Sequence, residues 1–200
     1  HEPGQVMFAD RIRDGYEPML ERLWTLLDEA SYVVGWNSDR FDLSKVRGYF
    51  ARSGFPPFRP PKSIDLVKTA RTFGFESASL GYVAQMFGVT DKIDNGAVAS
   101  WKAVMDGDMD ALERMEQYNR GDVQTTTELF DAMRPWVKNH PHLGFAADDE
   151  ERCPRCGSDD LTKVGVHQAV VIRYVMHRCN NCKGLCRSTA HSRASVTRGV

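Results

Sequence analysis

The sequence predicts an α/β domain followed by a small β module organised around a metal. Short β-branched apolar runs alternate with stretches whose apolar residues recur at three- and four-residue spacing between residues 5 and 137. All five cysteines lie beyond residue 150, four of them in two Cys-x-x-Cys pairs. Between these regions stands a stretch with Pro141, Gly144 and the acidic run Asp148–Glu151, which reads as a linker. The expected boundaries are 1–138 for the first domain, 139–151 for the linker and 152–200 for the module.

Gln5–Ile12 contains the apolar run Val6-Met7-Phe8 and is expected to form a short strand. Tyr16–Ala30 carries Met19, Leu20, Leu23, Trp24 and Leu27, a helical stripe. Tyr32–Trp36 is a compact β-branched run that reads as a buried strand. The polar residues Asn37–Arg40 follow, then a helix near Leu43–Ser53. Phe55–Pro61 holds too many prolines for a helix interior and is expected as a connection. Ser63-Ile64-Asp65 should end a strand and lead into a short helix, Leu66–Thr72. Ser79–Phe87 is expected as a helix stopped by Gly88, with Leu80, Val83, Ala84 and Phe87 on one face. Ala97–Met105 is expected to be helical. Met109–Val137 should be the longest helix, its core face built from Leu112, Met115, Val123, Thr126, Leu129, Phe130 and Met133, with Pro135 ending or kinking it. Trp24, Trp36, Trp101 and Trp136 are expected in the core or at an interface. No internal repeat is present.

Lys and Arg number 26 against 27 Asp and Glu, a formal charge of -1. Nothing global draws the chain to a polyanion, so contact with nucleic acid would need local basic patches. No apolar run approaches the roughly 20 residues that span a bilayer, so no membrane partner is expected. No secretory leader is evident.

Cys153-Pro-Arg-Cys156 and Cys179-Asn-Asn-Cys182 have the two-residue gap that lets one turn aim both sulfurs at a single ion. Four thiolates suit tetrahedral Zn²⁺, and a structural ion would stabilise a segment too small for a large core. Gly157 and Gly184 follow the two knuckles, where sharp turns are expected. The β-rich runs Val164–Val166 and Ala169–Val175 should form a hairpin between them, a layout that resembles a zinc ribbon. Cys186 fits the ligand spacing less well, and His167, His177 and His191 are expected to be ordinary surface or hairpin residues rather than ligands. Arg173, Arg178, Lys183, Arg187, Arg193 and Arg198 make the tail basic, which suits either phosphate or a protein partner; a stabilising appendage with solvated charges is the other reading.

Two places in the first domain set carboxylates where they could do chemistry. Asn37-Ser-Asp-Arg-Phe-Asp42 directly follows the apolar strand, and ligands of open α/β sheets bind beyond the carboxyl ends of strands. Asp39 or Asp42 could equally be a helix cap. Tyr118-Asn-Arg-Gly-Asp122 puts a tyrosine and a carboxylate on one face of the long helix, and a carboxylate on a core-facing stripe is costly unless paired or bound to metal. A surface Asp beside Arg120 is the plainer alternative.

Together these motifs resemble the DEDD-type 3′→5′ exonucleases, DnaQ-like members of the ribonuclease H-like fold. Asn37…Phe41-Asp42 looks like that family's second motif and Tyr118…Asp122 like its third, in the tyrosine-bearing subclass. Asp65 also has a counterpart in the general pattern. The resemblance covers roughly residues 5 to 137. It implies a mixed sheet flanked by helices and a cytoplasmic setting in a bacterial or virus-infected cell. It also implies two-metal hydrolysis of phosphodiester bonds at the 3′ ends of single-stranded or frayed nucleic acid, DNA rather than RNA, with Mg²⁺ or Mn²⁺. On this analogy Asp42 and Asp122 are metal ligands, Tyr118 orients the attacking water, and Asn37 and Phe41 line the site beside the terminal nucleotide.

The family's first motif, Asp-x-Glu on the first strand, has no match; the only such spacings fall within Asp148–Glu151. Val6–Phe8 is expected to correspond to the family's third strand, and a chain beginning at His1 is expected to lack an upstream segment. The missing carboxylates could be upstream, supplied by another polypeptide, or lost in a non-catalytic relative. The competing functions are a nucleic-acid-binding subunit that keeps the fold without the chemistry, and an adaptor that docks through the ribbon.

Overall fold

A computed structural model of the chain describes residues 5–89, 100–138, 140–142 and 151–193. It divides into two compact units, His1–Ala132 and Met133–Val200.

In the first unit, helix α1 (Tyr16–Glu29) buries Leu20 and Leu27 against Leu43, Phe50 and Phe58, with Met19, Leu23 and Trp24 packed around them. This is the stripe its periodicity requires. Trp24 Nε1 donates to the Pro56 carbonyl at 2.8 Å, tying the proline-rich connection to α1. Strand β1 (Tyr32–Gly35) leads through a polar turn into helix α2 (Asp42–Arg52) and then strand β2 (Lys62–Asp65). The two strands pair in parallel, from Tyr32 opposite Lys62 to Gly35 opposite Asp65. Both strands therefore end at the same edge, with α2 as the crossover between them. β1 was expected to be buried, but Tyr32 is exposed and Val33 to Gly35 are only half-buried. Among the described residues β1 has a hydrogen-bonded neighbour on one side only.

Gln5–Ile12, expected as a strand, has no regular structure over residues 5–10 and a turn from residue 11. The Val6 carbonyl accepts from Arg120 Nη1 at 2.6 Å instead of entering a ladder. An apolar run becomes a strand only where a partner edge meets it, and no described strand does so here.

Helix α3 (Leu66–Ala70) starts at Asp65, whose side chain accepts from the Val67 amide. Helix α4 (Leu80–Phe87) is capped by Ser79 and stopped by Gly88 at φ 62°, with Val83 and Ala84 buried. Helix α5 (Ser100–Met105) covers the described part of the helix expected from residue 97; residues 97–99 lie outside the described residues. Helix α6 (Met109–Met133) is the longest. Its Ala111, Leu112 and Met115 form a core with Val104, while Thr125, Leu129 and Met133 continue the buried stripe. Val123, expected in that stripe, is 49% exposed. The stripe runs 115, 118, 122, 125, 129, 133 at three- and four-residue steps, and Val123 falls one step outside it. The α-helix ends before Pro135, which stands in the tight turn Arg134–Trp136. Trp36 Nε1 reaches the Ala78 carbonyl, but Trp101 and Trp136 are mostly exposed.

In the second unit, strands β3 (Leu161–Gln168), β4 (Ile172–Cys179) and β5 (Leu185–Arg193) form an antiparallel sheet in that order. The expected hairpin is thus joined by a third strand that sequence reading missed, since residues 185–193 are mostly polar. The second knuckle turns the chain back so that Leu185 pairs with Arg178 and Cys186 with His177. Of the expected linker, residues 139 and 143–150 lie outside the described residues, as does Arg198.

Candidate functional site

The carboxylate edge begins where β1 leaves the sheet. A Cβ on Gly35 would lie 2.5 Å from Ser38 Oγ and 2.6 Å from Ser38 Cβ, so only glycine lets Ser38 fold under the strand end. Asn37 follows at φ 56°, a left-handed conformation that asparagine tolerates. This turn aims backbone amides at β2. Asn37 N donates to Asp65 Oδ1 at 2.8 Å and Asp39 N donates to Asp65 Oδ2 at 3.3 Å. With the Val67 amide at 3.3 Å, the buried Asp65 carboxylate is satisfied by three main-chain donors. Asp65 is therefore the residue that fixes the edge.

The other two carboxylates differ sharply. Asp39 accepts from the Lys68 ammonium and the Ser63 hydroxyl, and these two contacts hold its carboxyl below the usual range. Asp42, the first residue of α2, forms no ion pair among the described residues. Partial desolvation and then the charge of Asp65 push its carboxyl above the usual range. Neither Asp39 nor Asp42 caps α2: Phe41 occupies the cap position, and no side chain bonds to the helix end. Asp42 is thus a carboxylate within reach of a second negative charge, offset in part by its own backbone amide, an electrostatic condition that a divalent cation relieves. Phe41 beside it is 59% exposed, and Asn37 is half-buried.

Tyr118 and Asp122 lie half-buried on α6, within the stripe that runs from Met115 to Leu129. Tyr118 packs on the core around Val104 and Met115. Arg120 is committed elsewhere: it pairs with Glu116, with Nη2 at 2.7 Å, and donates to Val6. The structure brings Asp42 and Asp65 into electrostatic range of each other. Around Asp42 or Asp122, no three acidic or His/Cys ligand atoms converge within 4.8 Å among the described residues. Sequence reading missed Lys68 altogether. Nothing in Lys68-Thr-Ala marks a lysine that neutralises a residue 29 positions earlier.

The second site is the thiol cluster. The Sγ atoms of Cys153, Cys156, Cys179 and Cys182 all lie within 4.8 Å of one another. Cys153–Cys182 and Cys156–Cys179 are each 3.6 Å apart. A disulfide would need about 2.05 Å. Four sulfurs at about 2.3 Å from one tetrahedral ion stand about 3.8 Å apart, so these residues fit a metal ion such as zinc. Both knuckles use one backbone device. The first cysteine's amide bonds the carbonyl five residues on (Ser158, Gly184), and its carbonyl accepts from the amide four residues on (Gly157, Lys183). That fourth residue is left-handed in both, Gly157 at φ 76° and Lys183 at φ 62°. Gly184 was expected to make the sharp turn, but Lys183 takes it. Gly184 sits in a tight space: a Cβ there would lie 3.0 Å from Arg155 Cδ and 3.3 Å from Cys182 Sγ, so those side chains would have to give by a few tenths of an ångström.

Cys156 and Cys182 differ in proton affinity. Burial, with Cys153 and Cys156 nearby, pushes Cys182 up to about 12. Burial also acts on Cys156, but the Ser158 amide and the neighbouring thiols outweigh it and bring it down to about 7. A bound cation would make the set uniformly thiolate, with release of protons. Asn181 Nδ2 points at Cys156 Sγ at 3.7 Å. Cys186 and the ring of His177 stand outside the cluster, opposite each other on β5 and β4.

A family model described as the RNase_H superfamily matches residues 6–134. The chain belongs to the RNase_H superfamily. Residues 6–134 take in β1, β2 and the whole of α6, so both carboxylate motifs fall inside the matched region. Membership implies a nuclease-type hydrolase that binds nucleic acid, and nucleases of this superfamily generally use divalent metals. No curated protein and no solved structure matches the chain significantly. No helix among the described residues is long and apolar enough to cross a membrane.

Proposed function

We propose that this RNase_H superfamily member is a metal-dependent 3′→5′ exonuclease of the tyrosine-bearing DEDD kind, acting on single-stranded or frayed DNA, with a C-terminal zinc ribbon. The observation that carries the reading is Asp42, an open carboxylate crowded by Asp65 at the shared end of two parallel strands, with an exposed aromatic ring beside it. Asp42 and Asp122 would hold Mg²⁺ or Mn²⁺, which lowers the pKa of an attacking water and stabilises the leaving 3′ oxygen. Tyr118 would direct its hydroxyl to that water. Asn37 and Phe41 would receive the terminal nucleotide, Phe41 by stacking. Cys153, Cys156, Cys179 and Cys182 would hold a structural Zn²⁺, and the basic ribbon would meet nucleic acid or a protein partner.

A second reading is a binding subunit that keeps the fold without the chemistry, since residues 1–147 themselves carry no Asp-x-Glu. Hydrolysis of a 5′-labelled single strand in Mn²⁺ separates the two. Progressive shortening from the 3′ end that is lost in Asp42→Asn and Asp122→Asn supports the exonuclease. Binding without cleavage, by this chain and by any form extended with upstream coding sequence, supports the subunit.

A further inference from the structure

Helix α2 begins at the carboxylate edge, and its outer face carries a row of exposed rings and cations that the core does not use. Residues 40–62 hold six cations, Arg40, Lys45, Arg47, Arg52, Arg59 and Lys62, against one carboxylate, Asp42, in a chain whose overall charge is -1. The helix buries Leu43 and Phe50 on one side. On the opposite side Phe41, Lys45, Tyr49 and Arg52 follow at four-, four- and three-residue steps, all exposed, with Phe41 at 59% and Tyr49 at 46%. Arg52 lies over the Tyr49 ring, 5.8 Å from its centroid, and Tyr16 meets Ser53 at the far end, hydroxyl to hydroxyl at 3.5 Å. The Lys45 ammonium has no partner among the described residues. Gly48 stands in the middle of this face. A Cβ there would meet nothing within 4 Å, so packing does not require glycine, although glycine weakens a helix interior. It leaves the face flat between Lys45 and Arg52.

We propose that this face of α2 is a track for single-stranded nucleic acid leading away from the carboxylate site, with bases stacking on Phe41 and Tyr49 and phosphates on Lys45 and Arg52. The inference rests on the nuclease reading for its direction. Its support is the alternation of exposed rings and cations, the arrangement by which single strands are held without sequence preference. From Phe41 to Arg52 the helix rises about 16 Å, enough for more than one nucleotide beyond the terminal one.

The test uses the full chain and a fluorescein-labelled 12-residue oligothymidylate, with affinity read by anisotropy at several salt concentrations without added Mg²⁺ or Mn²⁺. The double variant Lys45→Gln/Arg52→Gln should bind about ten-fold or more weakly, and its log–log salt slope should fall by about 1.4, two contacts at about 0.7 each. Tyr49→Ser should cost about five- to a hundred-fold, and Tyr49→Phe should restore binding because it keeps the ring. Arg114→Gln, which removes one exposed charge from α6, should stay within about two-fold of wild type. Thermal midpoints of all variants separate lost binding from lost folding. Wild-type affinity and salt slope in the folded double variant would overturn the track. If the oligonucleotide is still shortened from its 3′ end in Mn²⁺ with unchanged KM, the track falls and the exonuclease stands. If binding depends on Lys45 and Arg52 but no version cleaves, the exonuclease falls and the track stands.

Discussion

Gly35→Ala tests how the carboxylate edge is built. The added methyl would stand 2.6 Å from Ser38 Cβ and 2.5 Å from Ser38 Oγ. Carbon atoms pack at about 3.5–4.0 Å, so either the end of β1 or the turn through residues 37–39 must shift by about 1 Å. Ser38 is 5% exposed, so the turn cannot simply swing it into solvent. If the turn moves, the amides of Asn37 and Asp39 leave the Asp65 carboxylate. Overpacking and weakened bonds to a buried charge together cost about 3 kcal/mol. For a unit of this size that is a fall of roughly 10 °C in the unfolding midpoint, measured by circular dichroism. Combining it with Ser38→Gly removes both clashing atoms and leaves Ser38 Cα as the nearest neighbour at 3.9 Å. The buried Ser38 hydroxyl has no hydrogen-bond partner among the described residues, so its loss is cheap. The double variant exchanges one glycine for another and should therefore return to within about 1 kcal/mol of wild type. An unchanged midpoint for Gly35→Ala, or a double variant no more stable than the single one, would refute the steric argument.

Other outcomes follow from the same geometry. Lys183→Gly should raise the stability of the ribbon by about 0.5–1 kcal/mol, because glycine occupies the left-handed region without strain, whereas Gly184→Ala should lower both stability and zinc affinity; calorimetry on both variants checks the pair. Lys68→Gln should lower the midpoint at pH 7. Asp39 titrates below its ordinary range when folded, so the stabilisation is present above that range and disappears as pH falls through the lowered pKa, where the two melting curves should merge. Native mass spectrometry should find one zinc per chain in wild type and in Cys186→Ser, and none in Cys179→Ser. A strong chelator should abolish the β signal of residues 161–193 and leave the helical signal of the first unit.

Much of the architecture was legible in local pattern. Helices α1, α2, α4 and α6 follow from apolar spacing, capping residues and stop signals, all of which act within a few turns. The four thiols were legible because two knuckles of fixed spacing leave few arrangements. The candidate site was half legible: Asp42, Asp122, Tyr118, Asn37 and Phe41 stood out as motifs. The sequence could not say that Asp65 would take three amides, that Lys68 would neutralise Asp39 while Asp42 formed no ion pair, or that Gly35 would yield its volume to Ser38. The carboxylate contacts depend on β2 lying beside β1, a pairing between residues about 30 positions apart, and the Gly35–Ser38 approach depends on the backbone path of the turn. The same limit explains the misplaced elements. Val6–Phe8 has strand composition without a described partner, and Leu185–Arg193 has a partner without strand composition. Helices satisfy their backbone internally and so announce themselves in sequence; strands and charge pairs are completed by a distant neighbour, and only the tertiary structure supplies it.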